Sequence, residues 1–194
     1  MRAPEQAVDG HLADSLSGLE VSGLREAGRI ADVGAGAGFP GLALAAALPG
    51  ARVDLIESAA RKCAVIERLA AAAGLDNVRV VAERAERWAA GEGAEAYDAV
   101  AVRAVAPLAV LAEYAAPLLR SGGVLVAWKG SRDEGEEAAG AGAAARLGLR
   151  ARGVTRVEPF GGVRDRHLHM YAKVAPTPEG FPRRPGMARK RPLA

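Results

Sequence analysis

The chain has 194 residues, half of them hydrophobic, which is enough for one domain with a sizeable core. Its single cysteine, Cys63, excludes an internal disulfide framework, and no cysteine and histidine cluster has metal-site spacing. No apolar run approaches the roughly 20 residues that span a bilayer, and the N-terminus lacks a signal-peptide core. We therefore expect a cytoplasmic protein outside the membrane and, since nothing indicates an obligate assembly, a monomer.

Basic character is concentrated at the C-terminus. The net charge is +3, but residues 176–194 carry five Lys and Arg against one acid, and the other 175 residues sum to −1. The same stretch holds five of the eleven prolines. Two interpretations stay open: a disordered, solubilising end, or a contact with nucleic acid, because clustered Lys and Arg displace counterions from a phosphate backbone.

Strands and helices alternate along residues 29–174. Strands are predicted over residues 29–33, 52–57, 77–82, 97–103 and 123–128. Helices are predicted between and after them, over residues 41–48, 59–73, 107–120 and 133–147. Two further strands are predicted over residues 154–160 and 167–174, separated by a turn at Gly161 and Gly162. This alternation predicts an α/β fold, a doubly wound and mostly parallel sheet covered on both faces.

A glycine-rich loop follows the first predicted strand, in the sequence DVGAGAGFPG. In a doubly wound sheet the ligand lies beyond the carboxyl ends of the strands, so Gly34, Gly36 and Gly38 are placed beside it. Glu57 closes the second strand, where its carboxylate can accept hydrogen bonds from ribose hydroxyls. NAD and S-adenosylmethionine both carry a ribose, and Glu57 does not discriminate between them.

Asp32 favours the methyl donor. A carboxylate just before the glycines would repel a pyrophosphate, whereas it would attract the amino and sulfonium groups of S-adenosylmethionine. The alternative is that Asp32 only accepts hydrogen bonds from N–H groups of the loop, which suits either cofactor.

Several ordered motifs extend this pattern over the chain. They are HLADSL, DVGAGAGFPGL, IESAARKCAVIERL, RAERW, YDAVAVRAVAPL, VAWKG, DRHLHMYAKV and a tail of the form TPxxxPRxPGxxxxxPL. Together they resemble the RsmG family, also called glucose-inhibited division protein B, bacterial methyltransferases of a guanine N7 in small-subunit (16S) ribosomal RNA. The resemblance implies the class I methyltransferase sheet, with its last strand antiparallel, and S-adenosylmethionine as the donor.

The resemblance also implies where the donor binds. By position, its contacts fall on Gly34, Phe39, Ala85, Glu86 and Arg103. Glu57 takes the ribose position and Asp32 the acidic position before the glycines.

The family usually carries a helical region before the HLADSL segment, which here begins ten residues from Met1. We interpret residues 1–24 as the remnant of that region, residues 25–175 as the methyltransferase domain and residues 176–194 as a basic tail. Either the true start lies upstream, or part of the cap over the RNA or the donor has been lost.

Methylation of a guanine N7 needs no general base, since this nitrogen has a free lone pair. Positioning and electrostatics can then carry the transfer. Arg103, Lys129 and Arg166 are the predicted catalytic residues, because each lies at a strand end where it can hold the guanine edge or flanking phosphates. A structural role stays open for His167, and for Arg61 and Lys62 at the start of a helix. No metal is expected.

Other functions stay open beside this one. The fold alone also suits a methyltransferase of small molecules or an NAD-dependent oxidoreductase. A degenerate protein that binds RNA without activity is a third interpretation, because the N-terminus is short. The expected macromolecular partner is small-subunit ribosomal RNA or the subunit particle.

Overall fold

A computed structural model describes residues 8–161 and 165–193. Seven strands form one sheet in the order β3-β2-β1-β4-β5-β7-β6. They are β1 (Arg29–Val33), β2 (Arg52–Ile56), β3 (Val78–Val81), β4 (Tyr97–Arg103), β5 (Leu119–Lys129), β6 (Leu149–Arg156) and β7 (His167–Lys173). β1 to β5 pair in parallel, and β7 runs antiparallel to both of its neighbours. This confirms the predicted fold class and the antiparallel last strand.

Helices cover both faces of the sheet. They are α1 (Ser22–Arg25), α2 (Gly41–Ala47), α3 (Ala60–Ala72), α4 (Ala85–Ala89), α5 (Leu108–Ala115), α6 (Glu134–Arg146) and α7 (Met187–Lys190). Before α1, helical turns run through Val8–Ala13, Asp14–Leu16 and Ser17–Glu20, here called the N-terminal segment. Within the described ranges, no helix is long and apolar enough to cross a membrane.

Alternation along the central strands creates two cores. Successive strand side chains point to opposite faces. Ile30 of β1 therefore joins the core under α2 and α3, whereas Ala31 and Val33 join the core under α5 and α6. Because parallel strands buried on both faces expose only their ends, the carboxyl edge of the sheet is the surface where polar side chains collect.

Two predicted elements have different bounds in the structure. The helix predicted over residues 107–120 ends at Ala115, because Pro117 cannot continue a helix and Leu119 already belongs to β5. The strand predicted over residues 154–160 is wrong in its limits, since β6 spans Leu149–Arg156. Antiparallel pairing with β7, from Leu149 opposite Lys173 to Arg156 opposite His167, sets those limits.

The basic tail packs against the domain. Ala188 and Leu193 are buried in the core under α5 and α6. Arg183 binds the buried carboxylate of Glu113 on α5, with 2.6 Å between Nε and Oε1. The interpretation of a disordered end is therefore wrong for residues 176–193, because these contacts fix the tail. Residues 1–7 of the predicted N-terminal region, Gly162 of the predicted turn and Ala194 lie outside the described residues.

Candidate active site at the carboxyl edge of the sheet

The glycine loop after β1 is packed against the turn that follows β4. Gly34 has a φ of 73°, and a Cβ atom there would lie 2.7 Å from Cγ2 of Val105. Gly38 has a φ of 96°, and a Cβ atom would lie 2.4 Å from Cδ1 of Leu42. Both the backbone conformation and the lack of space require glycine. The loop therefore lets the backbone approach a ligand closely at the end of β1.

A first cavity of about 370 Å³ opens beside this loop. It lies at the carboxyl ends of β1, β2 and β4, between the loop and α4. Its lining residues are Val33, Gly34, Ile56, Glu57, Ser58, Ala59, Lys62, Glu83, Arg84, Ala85, Glu86, Ala104, Val105, Tyr114 and Arg189. Four of the residues predicted to bind the donor, Gly34, Glu57, Ala85 and Glu86, are thus brought together.

Glu57 ties the first cavity to the glycine loop. Its carboxylate is buried and accepts hydrogen bonds from the N–H of Gly36 at 3.1 Å and the N–H of Ala59 at 2.8 Å. Nζ of Lys62 lies 3.8 Å from Oε2. Each carboxylate oxygen has two acceptor sites, so Glu57 keeps capacity for the hydroxyls of a bound ribose.

Asp32 lies behind the loop. Its Oδ2 accepts the N–H of Gly41 at the start of α2, at 2.8 Å, and its buried Oδ1 has no hydrogen-bond partner among the described residues. Burial raises the pKa of Asp32 to about 7. Asp32, Gly36 and Gly38 are not among the described residues that line the first cavity, so the structure places them in its supporting layer.

Glu86 connects the first cavity to the tail. Both Ala85 and Glu86 stand in the first turn of α4, and Oε1 of Glu86 accepts the N–H of Gly186 at 2.8 Å. Arg189 donates from Nη2 to the carbonyl of Val105 at 2.7 Å. One wall of the cavity is therefore held in place by residues from the far end of the chain.

A second cavity of about 380 Å³ lies on the other side of the turn after β4. Its lining residues are Gly10, His11, Asp14, Arg103, Ala104, Trp128, Lys129, Gly130 and Arg166. All three predicted catalytic residues, Arg103, Lys129 and Arg166, line this cavity. They come from the end of β4, the end of β5 and the start of β7, which meet at the carboxyl edge.

Carboxylates hold these three cations. Oδ2 of Asp14 lies 3.0 Å from Nη1 of Arg103, and Oδ1 lies 3.3 Å from Nε of Arg166. Nζ of Lys129 lies 2.6 Å from Oε1 of Glu136 on α6. These ion pairs orient the three side chains before a substrate arrives. The free-energy cost of ordering the side chains on binding is thereby reduced.

Sequence reasoning missed Asp14. Its side chain is buried, and its carbonyl accepts the indole N–H of Trp128 at 2.8 Å, which fastens the N-terminal segment to β5. The signal in the sequence is its place in the HLADSL motif, between the apolar residues Leu12 and Leu16. That motif gives no indication of which strand the segment covers.

Aromatic rings extend the second cavity toward the glycine loop. Phe39 stacks on His11 with ring centroids 5.5 Å apart, and the guanidinium of Arg103 lies 5.8 Å from the Phe39 centroid. His167 is not among the described residues that line the second cavity, and its Nδ1 lies 2.8 Å from the carbonyl oxygen of Gly130. Arg103 thus lines the second cavity only, and Phe39 is not among the described lining of either cavity, so the structure does not bring these two predicted donor contacts into the first cavity.

Ala104 lines both cavities. Its φ is 56°, a conformation that costs a residue with a Cβ atom of order 1 kcal/mol and is found at functional turns. Ala104 is the residue that the two described linings share, so the two cavities meet beside this turn. Within the described ranges, no three His, Cys, Asp or Glu side chains come together in an arrangement that could hold a metal ion.

Comparison with known proteins identifies the family. Residues 1–168 match the model of the GidB family, described as rRNA small subunit methyltransferase G. The chain belongs to this family. The resemblance predicted from the motifs is thereby confirmed, and the chain is a methyltransferase.

Relatives within the GidB family match almost the whole chain. Ribosomal RNA small subunit methyltransferase G of Rubrobacter xylanophilus is 46% identical over 99% of this chain and 75% of its own length. The protein of the same name from Symbiobacterium thermophilum is 41% identical over 98% of this chain and 80% of its own. Among solved structures, Aeropyrum pernix fibrillarin with bound S-adenosyl-L-methionine has a TM-score of 0.62 at 19% identity, covering 82% of this chain and 73% of that one, which shows a shared fold.

Proposed function

We propose that this chain transfers a methyl group from S-adenosylmethionine to the N7 of a guanine in small-subunit (16S) ribosomal RNA. Membership of the GidB family supports the reaction and the RNA substrate. The observation that carries the proposal for the site is the meeting of two cavities at Ala104. One is bordered by the glycine loop and Glu57, and the other is lined by Arg103, Lys129 and Arg166.

The first cavity fits the methyl donor. S-adenosylmethionine supplies an electrophilic methyl group on a sulfonium sulfur. Gly34 lets the backbone approach it, Glu57 accepts from its ribose hydroxyls, and Ala85 and Glu86 border the space beyond the ribose. Asp32, Gly36, Gly38 and Phe39 hold the shape and charge of this side of the site.

The second cavity fits the guanine. Guanidinium groups donate hydrogen bonds to acceptors such as O6 on the edge of guanine, and cations hold flanking phosphates. Since N7 must stay free to attack, Arg103 and Arg166 act by orienting the base through other atoms, while Lys129 offers a charge for a phosphate. The described lining offers no thiol nucleophile, and N7 methylation requires none.

The proposal includes the setting of the reaction. We infer that the enzyme acts as a monomer in the cytoplasm on ribosomal RNA, either naked or in the subunit. We also infer that residues 25–175 form the methyltransferase domain, with residues 1–24 as the remnant of the family's N-terminal region and residues 176–194 as a basic tail.

A transfer assay tests this function. The purified protein is mixed with labelled S-adenosylmethionine and an RNA substrate. The substrate is either small subunits or naked 16S RNA, each taken from a strain whose own enzyme has been deleted. The reaction should yield 7-methylguanosine at a single nucleotide. Arg103→Gln should lower the rate by about a hundredfold, since one positioned donor contributes that much to transition-state stabilisation. Arg68→Gln, on the exposed face of α3, is the matched control. Absence of methyl transfer to either RNA substrate would refute the proposal.

A further inference from the structure

The tail meets α4 at a third concave surface beside the first cavity. This surface is lined by Arg84, Pro185, Gly186, Arg189 and Lys190. Arg84 immediately precedes α4, whereas the other four residues come from the tail, about 100 residues later in the chain. Folding therefore assembles three cations, here called the basic cluster (Arg84, Arg189 and Lys190), from two distant segments.

No carboxylate neutralises this surface from within its described lining. The side chains of Arg84 and Lys190 form no hydrogen bond and no ion pair with any described residue. Arg189 donates only to uncharged partners, with Nη2 on the carbonyl of Val105. Several surface arginines elsewhere on the molecule face carboxylates, as Arg79 faces Glu92 at 3.0 Å. The basic cluster differs from these paired positions, because three cations that pair with no described carboxylate lie together on one concave surface.

Glu86, in the first turn of α4, is already occupied. Its carboxylate is buried, and its Oε1 accepts the N–H of Gly186 in the tail. Keeping three like charges together costs free energy unless an anion binds there. Arginine forks and lysine ammonium groups are the side chains that proteins use for phosphate.

We propose that the basic cluster binds a backbone phosphate of the ribosomal RNA substrate. This inference rests on the proposed function. Arg84 and Arg189 line both the third surface and the first cavity, so the cluster continues the carboxyl edge where donor and base meet. RNA that enters the second cavity passes along this edge, and a phosphate at the cluster fixes its path.

The backbone that carries the tail part of the cluster is held in place, and so is the side chain of Arg189. Arg183 binds Glu113, Ala188 and Leu193 are buried, and Arg189 is fixed by Val105. A preformed site loses less conformational entropy on binding than a flexible basic end would. The tail therefore acts in RNA binding through a defined site together with Arg84.

The test compares two double variants that remove the same charge. Arg84→Gln with Lys190→Gln changes the cluster and leaves in place the contacts that hold the tail, and Arg68→Gln with Arg152→Gln changes exposed cations on α3 and β6. Binding of small subunits and of naked 16S RNA is measured at several salt concentrations, and binding of S-adenosylmethionine is measured separately.

The cluster variant should bind its RNA substrate roughly three- to tenfold more weakly at moderate salt. The slope of log affinity against log salt should become less steep by about 1 for each phosphate that the variant no longer binds. Because Arg84 also lines the first cavity, the single variant Lys190→Gln, which lies outside the described lining of that cavity, is measured beside it; it should weaken RNA binding and leave affinity for S-adenosylmethionine unchanged. Equal RNA binding and equal slopes in the two double variants would overturn the inference, as would a loss of donor binding alone.

The failure of the proposed function can be told apart from the failure of this inference. If the wild-type protein binds RNA but transfers no methyl group, the proposed function fails. The comparison of RNA binding between the two double variants still tests whether the basic cluster binds a phosphate.

Discussion

At the scale of single residues, Asp14 orders the second cavity by holding two arginines with one carboxylate. Asp14→Asn keeps the size of the side chain and removes its charge, so Arg103 and Arg166 repel each other and lose their direction. We expect methyl transfer to fall at least about tenfold, because a shift of 1 Å in a positioning group has effects of this order or larger. Affinity for S-adenosylmethionine should hold, since Asp14 lies outside the first cavity.

Two further variants separate positioning from mere stability. Asp14→Glu keeps the charge and should recover part of the rate. Glu26→Gln breaks an exposed ion pair with Arg25 and should change neither rate nor melting temperature measurably. If Asp14→Asn reduced donor affinity and turnover in parallel, the assignment of Asp14 to the second cavity would be wrong.

Asp32 should make donor binding depend on pH. Its pKa is raised to about 7 by burial, so the free protein holds a proton on this carboxyl below that pH. A cationic donor favours the ionised carboxylate, which means that binding below pH 7 releases a proton. Affinity for S-adenosylmethionine should therefore rise from pH 5.5 toward pH 7 and then level off.

Calorimetry in buffers of different ionisation enthalpy measures this proton release. The Asp32→Asn variant has no proton to release, so its affinity for the donor should change less with pH. Any titration of the donor itself affects the wild-type protein and the variant equally. Identical profiles for the two proteins would show that Asp32 does not sense the donor's charge.

Residues of the site differed in how far the sequence could predict them. The position of Arg103, Lys129 and Arg166 at the carboxyl edge was predictable because each ends or precedes a strand, and parallel strands end at one edge, whereas their catalytic role stays a prediction. The position of Asp14 was not predictable, because its partners are 89 and 152 positions away, and packing of the N-terminal segment on Trp128 brings them together.

At the scale of elements, the tail and α5 are joined by Arg183 and Glu113. Arg183→Met leaves the carboxylate of Glu113 buried without its partner. We therefore expect the free energy of unfolding, measured in urea, to fall by about 2 kcal/mol. The double variant Arg183→Met with Glu113→Gln should lose less free energy of unfolding than the sum of the losses in the two single variants, because no unpaired charge then remains. Additive losses would show that the two groups do not interact.

An exposed pair provides the control for this cycle. Arg156 and Glu158 lie 2.9 Å apart with more than half of each side chain exposed, and removing this pair should cost less than about 1 kcal/mol. The tail also contacts Glu86 and Val105 at the first cavity. Removal of residues 176–194 should therefore weaken binding of the donor as well as of RNA.

Elements at the margins of the sheet were the hardest to predict. β6 has one neighbour, and its sequence LRARGVTR is largely exposed, so hydrophobic alternation gives little signal there. One of the two interpretations of the tail failed for a related reason: its prolines and charges are typical of disordered ends, while its buried apolar anchors, Ala188 and Leu193, are few.

At the scale of the whole molecule, the repeated order of strand and helix determines the architecture. Buried strands such as β1 and β4 are apolar on both faces, and this pattern predicted a doubly wound sheet before any pairing of strands was known. The relation between the two cavities could not be predicted in this way. It depends on the conformation of one alanine in the turn after β4.

Ala104 tests whether the methyl group passes beside that turn. Ala104→Val places a β-branched side chain at a φ of 56°, which distorts the turn, whereas Ala104→Gly accepts the conformation without strain. We expect Ala104→Val to slow single-turnover methyl transfer at least about tenfold, while the glycine variant stays near the wild-type rate.

The control variant Glu95→Val introduces the same strain at an exposed position with a φ of 47°, outside the described lining of both cavities. It should lower stability by about 1 kcal/mol and leave transfer intact. A rate for Ala104→Val equal to that of Glu95→Val would mean that the turn only supports the fold, because the transfer path would then tolerate its distortion.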